Sequence, residues 1–168
     1  MIMPCPIKPN NPTKISHNHT KKGAVHWFDL EDNVDPKISS QKARPYIIID
    51  SSSYSSSRVI ISPITDRNHC IEEGTNKLKY PSNAPLNKKQ NPFLDKDSIV
   101  LLDQVYTIGK DELCEEWYMG QITDLQKIDE AIMYNYDLFD SMFTIYKKLF
   151  NQLNGQAKSN YISQYSRK

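Results

Sequence analysis

Cysteine is scarce in this 168-residue chain: Cys5, Cys70 and Cys114 are odd in number and none belongs to a Cys-x-x-Cys pair. That excludes a disulfide framework or a cysteine-based zinc site as the organising element and fits a reducing, cytoplasmic setting. No apolar run approaches the ~20 residues of a membrane-spanning helix. The first residues are polar and proline-rich, unlike the apolar core of a secretory signal. Charge of one sign is also missing. Lys plus Arg is 21 against 20 for Asp plus Glu, a net charge of +1, where a dedicated nucleic-acid binder is usually more basic. Charge is nevertheless uneven. Residues 1–22 carry four lysines and no acid, and 76–96 carry Lys77, Lys79, Lys88, Lys89 and Lys96 against Asp95 alone. A basic loop of that kind concentrates a polyanion beside it. Metal ligands do not cluster. His17 and His19 lack further ligands nearby, and two histidines are too few for zinc.

The length suits one domain with tails. Pro4, Pro6, Pro9 and Pro12 among polar residues make 1–20 a disordered polar tail. The domain is expected over 21–153, and 154–168 as a C-terminal tail. Gly23 to Leu30 alternates as a strand, with Val25, Trp27 and Asp29 on one face and Ala24, His26, Phe28 and Leu30 on the other. Pro45 to Asp50 is almost continuously apolar, as for a strand buried on both faces. The serine-rich stretch 51–57 connects it to a return strand, Arg58 to Ile64. There Pro63, without an N–H, belongs at an edge, a bulge or the strand's end. Thr75 to Tyr80 reads as a short strand, Ser98 to Thr107 as the longest, and Tyr118 to Ile122 as another.

The period then changes. Thr123 and Gln126 fit a capping box. Leu125, Ile128, Ile132, Asn135, Phe139, Met142, Tyr146, Leu149 and Leu153 recur at spacings of three and four. A helix over 124–153 is about 45 Å long. It therefore breaks near Asn135-Tyr136-Asp137, or its second half packs on a partner. Leu138, Phe143, Ile145 and Phe150 widen its apolar face, which favours burial against its own domain over a narrow coiled-coil seam with Asn135 setting register. Strands first and a helix last indicate an α+β domain: a small, curved antiparallel sheet with a C-terminal helix.

Arg44 opens a strand beside a loop, and its guanidinium can hold a phosphate through two parallel hydrogen bonds. Thr65 ends the neighbouring strand with a hydroxyl that can bond a phosphate oxygen. If the two strands pair as a hairpin around the serine loop, both residues lie at the opposite end. Gln41 and Lys42 just before Arg44, and Arg67 and His69 just after Thr65, are further candidate binding residues. Neutral His69 can take a proton near pH 7. His26, among apolar strand residues, reads as a packed histidine. Trp27, Tyr46, Tyr54 and Tyr106 are candidate stacking platforms, with Tyr106 first.

Four segments in order, Gly23 to Leu30, Arg44 to Asp50, Arg58 to Thr65 and Asp97 to Ile108, are followed by Lys110 to Leu113 and the helix from Asp124. Together they resemble the MazF/PemK/Kid family of toxin ribonucleases. The resemblance implies an SH3-like barrel. It also implies metal-independent, cofactor-free, sequence-specific cleavage of single-stranded RNA through a 2′,3′-cyclic phosphate. The family's catalytic Arg and Thr fall on Arg44 and Thr65, and its Gln falls on Gln104. A homodimer is implied, with an antitoxin whose disordered acidic tail covers the site. Three departures stand out. The loop Ser39 to Ala43 lacks the family's glycines and acid, Tyr106 replaces an Arg, and Ala24 replaces an Asp. The altered loop and Tyr106 favour the alternative of a non-catalytic binding module on the same barrel; a gyrase-binding toxin of the CcdB kind is a variant of it, against which the Arg44 and Thr65 pair speaks.

Overall fold

The computed structural model of the chain describes residues 10–30, 43–50 and 56–152, with 155, 157 and 159 beyond. Seven strands form one curled antiparallel sheet: β1 (Ala24–Phe28), β2 (Arg44–Ile48), β3 (Arg58–Asp66), β4 (Asn83–Leu86), β5 (Ser98–Leu101), β6 (Tyr106–Gly109) and β7 (Tyr118–Gln121). Their order is β4-β5-β3-β2-β1-β7, with β6 also on β3. Two helices, α1 (Gln126–Asn135) and α2 (Phe139–Gln152), follow. The expected α+β class holds, with the sheet curled into a half-barrel.

The apolar run of β2 has a direct cause. Ile47 and Ile49 enter one buried cluster with Val25, Ile64, Val100 and Leu102. Tyr46 and Ile48 enter a second with Ala24, Phe28, Val59, Ile61 and Ile108. Both faces of this central strand are covered, so neither set of alternating side chains can be polar.

β3 holds the two halves together. It pairs with β6 over Arg58–Ile61 and with β5 over Ile64–Asp66. The interval between those partners accommodates Pro63. Ile60 receives Ile49 N–H at its carbonyl and donates its own N–H to Asp50, both on the β2 side. By alternation the nitrogen of Pro63 points the other way, into the gap between β6 and β5, where no ladder donor is required. Pro63 is thus neither at an edge nor at the strand's end, but at a change of partner.

Several expectations are corrected. Ser98 to Thr107 is two strands, because Leu102 to Val105 form a turn closed by Gln104 N–H to Leu101 O at 3.0 Å. Thr75 to Tyr80 contributes only an isolated bridge, Ile71 to Leu78, and the strand of this region is β4. The helix starts at Gln126 after Leu125, with Asp124 accepting from Gln126 N–H, so the Thr123 capping box does not form. The helical region is also divided. Asp137 takes a left-handed φ of 51° between α1 and α2. Asn135 turns inward, donating from Nδ2 to Leu102 O at 3.0 Å instead of marking a seam. α1 buries Ile128 and Ala131 in the first cluster. α2 buries no residue, contrary to the expected packing on its own domain.

Residues 10–20, within the segment expected as a polar tail over 1–20, make contacts with the domain. Glu116 accepts from Thr13 N–H and Oγ1, Glu115 accepts from Ser16 N–H, and Lys14 bridges Cys114. His19 stacks on Tyr118 at 3.7 Å between ring centres, with the Glu115 carboxylate 2.6 Å from its Nδ1. The expected C-terminal tail lies largely outside the described residues.

His26 is packed as expected, at 1% exposure. Its Nε2 donates to His19 O at 2.6 Å, while Nδ1 is buried with no hydrogen-bond partner. A carbonyl only accepts, so the neutral Nε2–H tautomer is the one the site holds. Burial pulls the pKa of His26 down from 6.5 to about 4, against the opposing hydrogen bond to His19 O. The unfolded chain therefore binds a proton that the folded chain refuses. Stability should fall as pH drops from about 6.5 to about 4 and level off below, by a total on the order of 3 kcal/mol. Urea unfolding at pH 7 and pH 4.5 measures this. His26→Gln, whose amide can still donate to His19 O, should flatten the slope. An unchanged slope in that variant would assign the acid sensitivity to another group.

Candidate active site

Arg44 enters the sheet as the first residue of β2 and is half-buried. On one side β1 sets Phe28 opposite it. On the other, β2 and β3 pair Tyr46 with Pro63 and Ile47 with Ser62. Continued two residues toward the strand ends, that register sets Arg44 across from Thr65. Because Pro63 and Thr65 turn their backbone polar groups away from β2, this is the non-hydrogen-bonded type of pair, in which side chains stand closest. By that extended register the two residues singled out from the sequence lie toward one end of the hairpin and on one face of it.

Tyr46 lies two residues along from Arg44 and so projects from the same face. Arg44 Nε donates to the Tyr46 hydroxyl at 3.1 Å, and the guanidinium carbon lies 5.5 Å from the ring centre. Tyr46 is itself wedged edge-on between Phe28 and Tyr106, with ring centres at 6.1 and 6.3 Å. Burial raises its pKa, partly offset by Arg44, so the hydroxyl keeps its proton at neutral pH. Among the described residues the Arg44 side chain makes no other hydrogen bond. One edge of the guanidinium is thus anchored, and its two terminal nitrogens keep the fork geometry that fits a phosphate.

Tyr106, favoured among the aromatics, is part of this group and half-exposed. It pairs with Ile61 across β3, which places it on the Arg44 face. Trp27 is not: it pairs with Pro45, one residue out of phase with Arg44, and so belongs to the opposite face. Gln104 sits in the β5–β6 turn. Arg67 and His69 form a 3-10 turn directly after Thr65 and Asp66. Arg67 Nη2 donates to Asn76 O at 3.4 Å, in a groove also lined by Asn68, Lys96 and Asp97. Lys96 bonds Asp66 at 2.5 Å and holds its carboxyl below the usual range. Gln41, Lys42 and Tyr54 lie outside the described residues.

A larger cavity, about 1010 Å³, lies elsewhere, between the Pro12–Ile15 segment and the Arg58 end of β3. At ~3.3 Å per residue, β3 carries Thr65 roughly 20 Å from that end. The cavity and the Arg44 group are separate features.

The role of Tyr46 as an anchor was missed from sequence, although the Arg44-x-Tyr46 spacing in a strand signals a shared face. Tyr46→Phe keeps the ring packing and removes only the hydroxyl. It should cost about 1 kcal/mol of stability or less, and turn the Arg44 Nε–H from a slowly to a rapidly exchanging proton. A ¹⁵N spectrum of the Arg side chains reads this directly; unchanged exchange would remove Tyr46 as the anchor.

Comparison with known proteins identifies the family. Residues 21–135 match the family model described as PemK-like, MazF-like toxin of type II toxin–antitoxin system. Endoribonuclease MazF of Staphylococcus epidermidis is 33% identical over 116 residues, which span 67% of this chain and 87% of that protein. Among solved structures, the Mycobacterium tuberculosis toxin MazF-mt6 is 22% identical with a TM-score of 0.47, covering 68% of this chain and 96% of that one. MazF from Deinococcus radiodurans is 12% identical with a TM-score of 0.49, covering 70% and 96%. A match over most of the sheet and α1, with a third of positions shared with a relative aligned over most of its length, places this chain in the PemK-like, MazF-like family of type II toxin–antitoxin toxins.

Proposed function

We propose that this protein is a cytoplasmic endoribonuclease that cleaves single-stranded RNA without a metal, with Arg44 and Thr65 at its catalytic centre. The observation that carries the reading is the Arg44 guanidinium anchored on Tyr46, and the β2–β3 register, extended two residues, supports Thr65 as its neighbour. In the reaction the ribose 2′-oxygen attacks the adjacent phosphorus and the bond to the 5′-oxygen breaks. The 2′-hydroxyl proton is lost and the departing oxygen gains one, leaving a 2′,3′-cyclic phosphate and a 5′-hydroxyl. Charge accumulates on the non-bridging oxygens of the five-coordinate phosphorus. A fixed guanidinium there stabilises the transition state more than the ground state. Arginine's high pKa makes it a poor proton acceptor, so its part is electrostatic. The Thr65 hydroxyl donates to a phosphate oxygen and sets the attack line.

Half-exposed Tyr106 offers a base a stacking face next to the guanidinium, and Gln104, Arg67, His69, Gln41 and Lys42 supply the polar surround. Activity as a homodimer, and inhibition by an antitoxin with a disordered acidic tail, complete the proposal. Tyr106 in place of a family cation favours a second reading, a barrel that binds without cutting.

Long single-stranded RNA incubated with purified protein in EDTA separates the two readings. Discrete cuts bearing 5′-hydroxyl ends are expected. Arg44→Ala should lower the cleavage rate at least about a hundredfold, with a smaller loss for Thr65→Val. Intact RNA from folded wild-type protein, or equal cutting by Arg44→Ala, would defeat the catalytic reading.

A further inference from the structure

α2 lies beyond the residues matched to the family, which end at Asn135. None of its residues is buried. Its sequence nevertheless divides cleanly around the helix. At about 100° per residue, every apolar side chain of α2 falls within one arc of about 160°, bounded by Ile145 and Phe143, and every polar one falls outside it. Phe143, Ile145 and Leu149 on that arc are 68%, 53% and 57% exposed. Tyr146 and Phe150, four residues apart, stack with ring centres at 6.2 Å, as neighbours on one face do.

The width and the margins of this face say what fits it. An arc near half the circumference is far wider than the stripe that a helix-to-helix seam uses. It suits burial side-on in an extended apolar medium. Lys147 lies about 40° beyond Phe143 and Lys148 about 60° beyond Ile145, so a cation flanks the apolar arc on each side. Lysine stems can run along apolar matter while their ammonium groups reach anions at its boundary. Asp140, the acid of α2, is in the first turn, at the positive end of the helix. From Ser141 onward the chain carries Lys147, Lys148, Lys158, Arg167 and Lys168 and no acid. Uniform positive charge matches a uniformly anionic surface better than the mixed signs of a protein surface. RNA would match the cations but leave the aromatic and aliphatic arc in water.

We propose that α2 is a membrane-surface anchor, lying along an anionic bilayer with its apolar arc at the boundary of headgroups and acyl chains and with Lys147 and Lys148 at lipid phosphates. Among the described residues no helix is long and apolar enough to cross a membrane. α2, about 21 Å long against ~30 Å of hydrocarbon, rests on the surface instead. The anchor goes beyond RNA cleavage and does not depend on it.

Flotation of the full-length protein with vesicles, in the absence of RNA, tests this. The protein should bind phosphatidylglycerol vesicles at least about tenfold more tightly than phosphatidylcholine vesicles, and added salt should narrow the difference. Phe143→Asp should weaken binding to phosphatidylglycerol at least about tenfold with the thermal melt unchanged, because α2 supports no buried contact. Lys147→Glu combined with Lys148→Glu should weaken it by about tenfold or more. Wild-type protein that fails to float with phosphatidylglycerol overturns the proposal, as does undiminished flotation of Phe143→Asp. Self-association lost in Phe143→Asp with vesicle binding intact would give the face to a second copy. RNA affinity lost in the double lysine variant with vesicle binding intact would give the cations to RNA. Because lipid binding and RNA cleavage are read separately, failure of either leaves the other standing.

Discussion

The register between β2 and β3 is the constraint on which the rest of this molecule depends. A slip of one residue would exchange the two buried faces of β2, sending Ile47 and Ile49 where Tyr46 and Ile48 now pack. It would also move Arg44 out of phase with Thr65. Both sides of β2 are filled, so such a slip disrupts two clusters at once. Each fully buried isoleucine contributes roughly 1.5–3 kcal/mol. The site's geometry is therefore held by the core. Pro63 adds to this, because its missing N–H suits only the interval between β6 and β5 and penalises any shift of β3 along its partners.

Charge is used more locally than the composition suggests. The lysines of 76–96 look like a free basic surface in the sequence. Three of them are engaged with the chain itself: Lys79 donates to His69 O, Lys88 to Asp95 O, and Lys96 pairs with Asp66. Such exposed bonds are individually weak, about 0–1 kcal/mol, and screened by salt. They orient the loop that follows Thr65 more than they stabilise it. Under the proposed function, an RNA strand arriving there would exchange these contacts for phosphates at little cost, in keeping with a net charge of +1.

What the sequence revealed and what it hid divide along the range of the interactions involved. β1, β2 and β3 were legible because their burial follows from local runs and alternation, whereas Arg44 and Thr65 stood out through the family resemblance and not through their places at strand ends. The division of Ser98 to Thr107 was hidden because its turn, Leu102-Asp103-Gln104-Val105, contains no glycine or proline and continues an apolar run. Order in residues 10–20 was hidden because its partners, Glu115 and Glu116, are about a hundred residues away. The alternation that put Trp27 out of phase with Phe28 was visible, but which of them shares a face with Arg44 is decided by cross-strand register, which no local pattern encodes. The helix break was only half legible. Asn135-Tyr136-Asp137 looked like a weak point, while the inward bond of Asn135 to Leu102 O depends on the β5–β6 turn.

That break separates two physical roles within one amphipathic pattern. α1 is held by Ile128 and Ala131 against the core and by Asn135 against the β5–β6 turn, and the turn it clasps carries Gln104 and leads into Tyr106. The end of α1 thus steadies the strand that presents Tyr106 beside the Arg44 anchor. With Asp137 in a left-handed conformation, the apolar stripe does not continue along the same axis, and α2 leaves the domain with its face uncovered. The periodicity that reads as one helix is the overlap of an inward-facing face and an outward-facing one, joined by a residue whose backbone changes the direction of the chain.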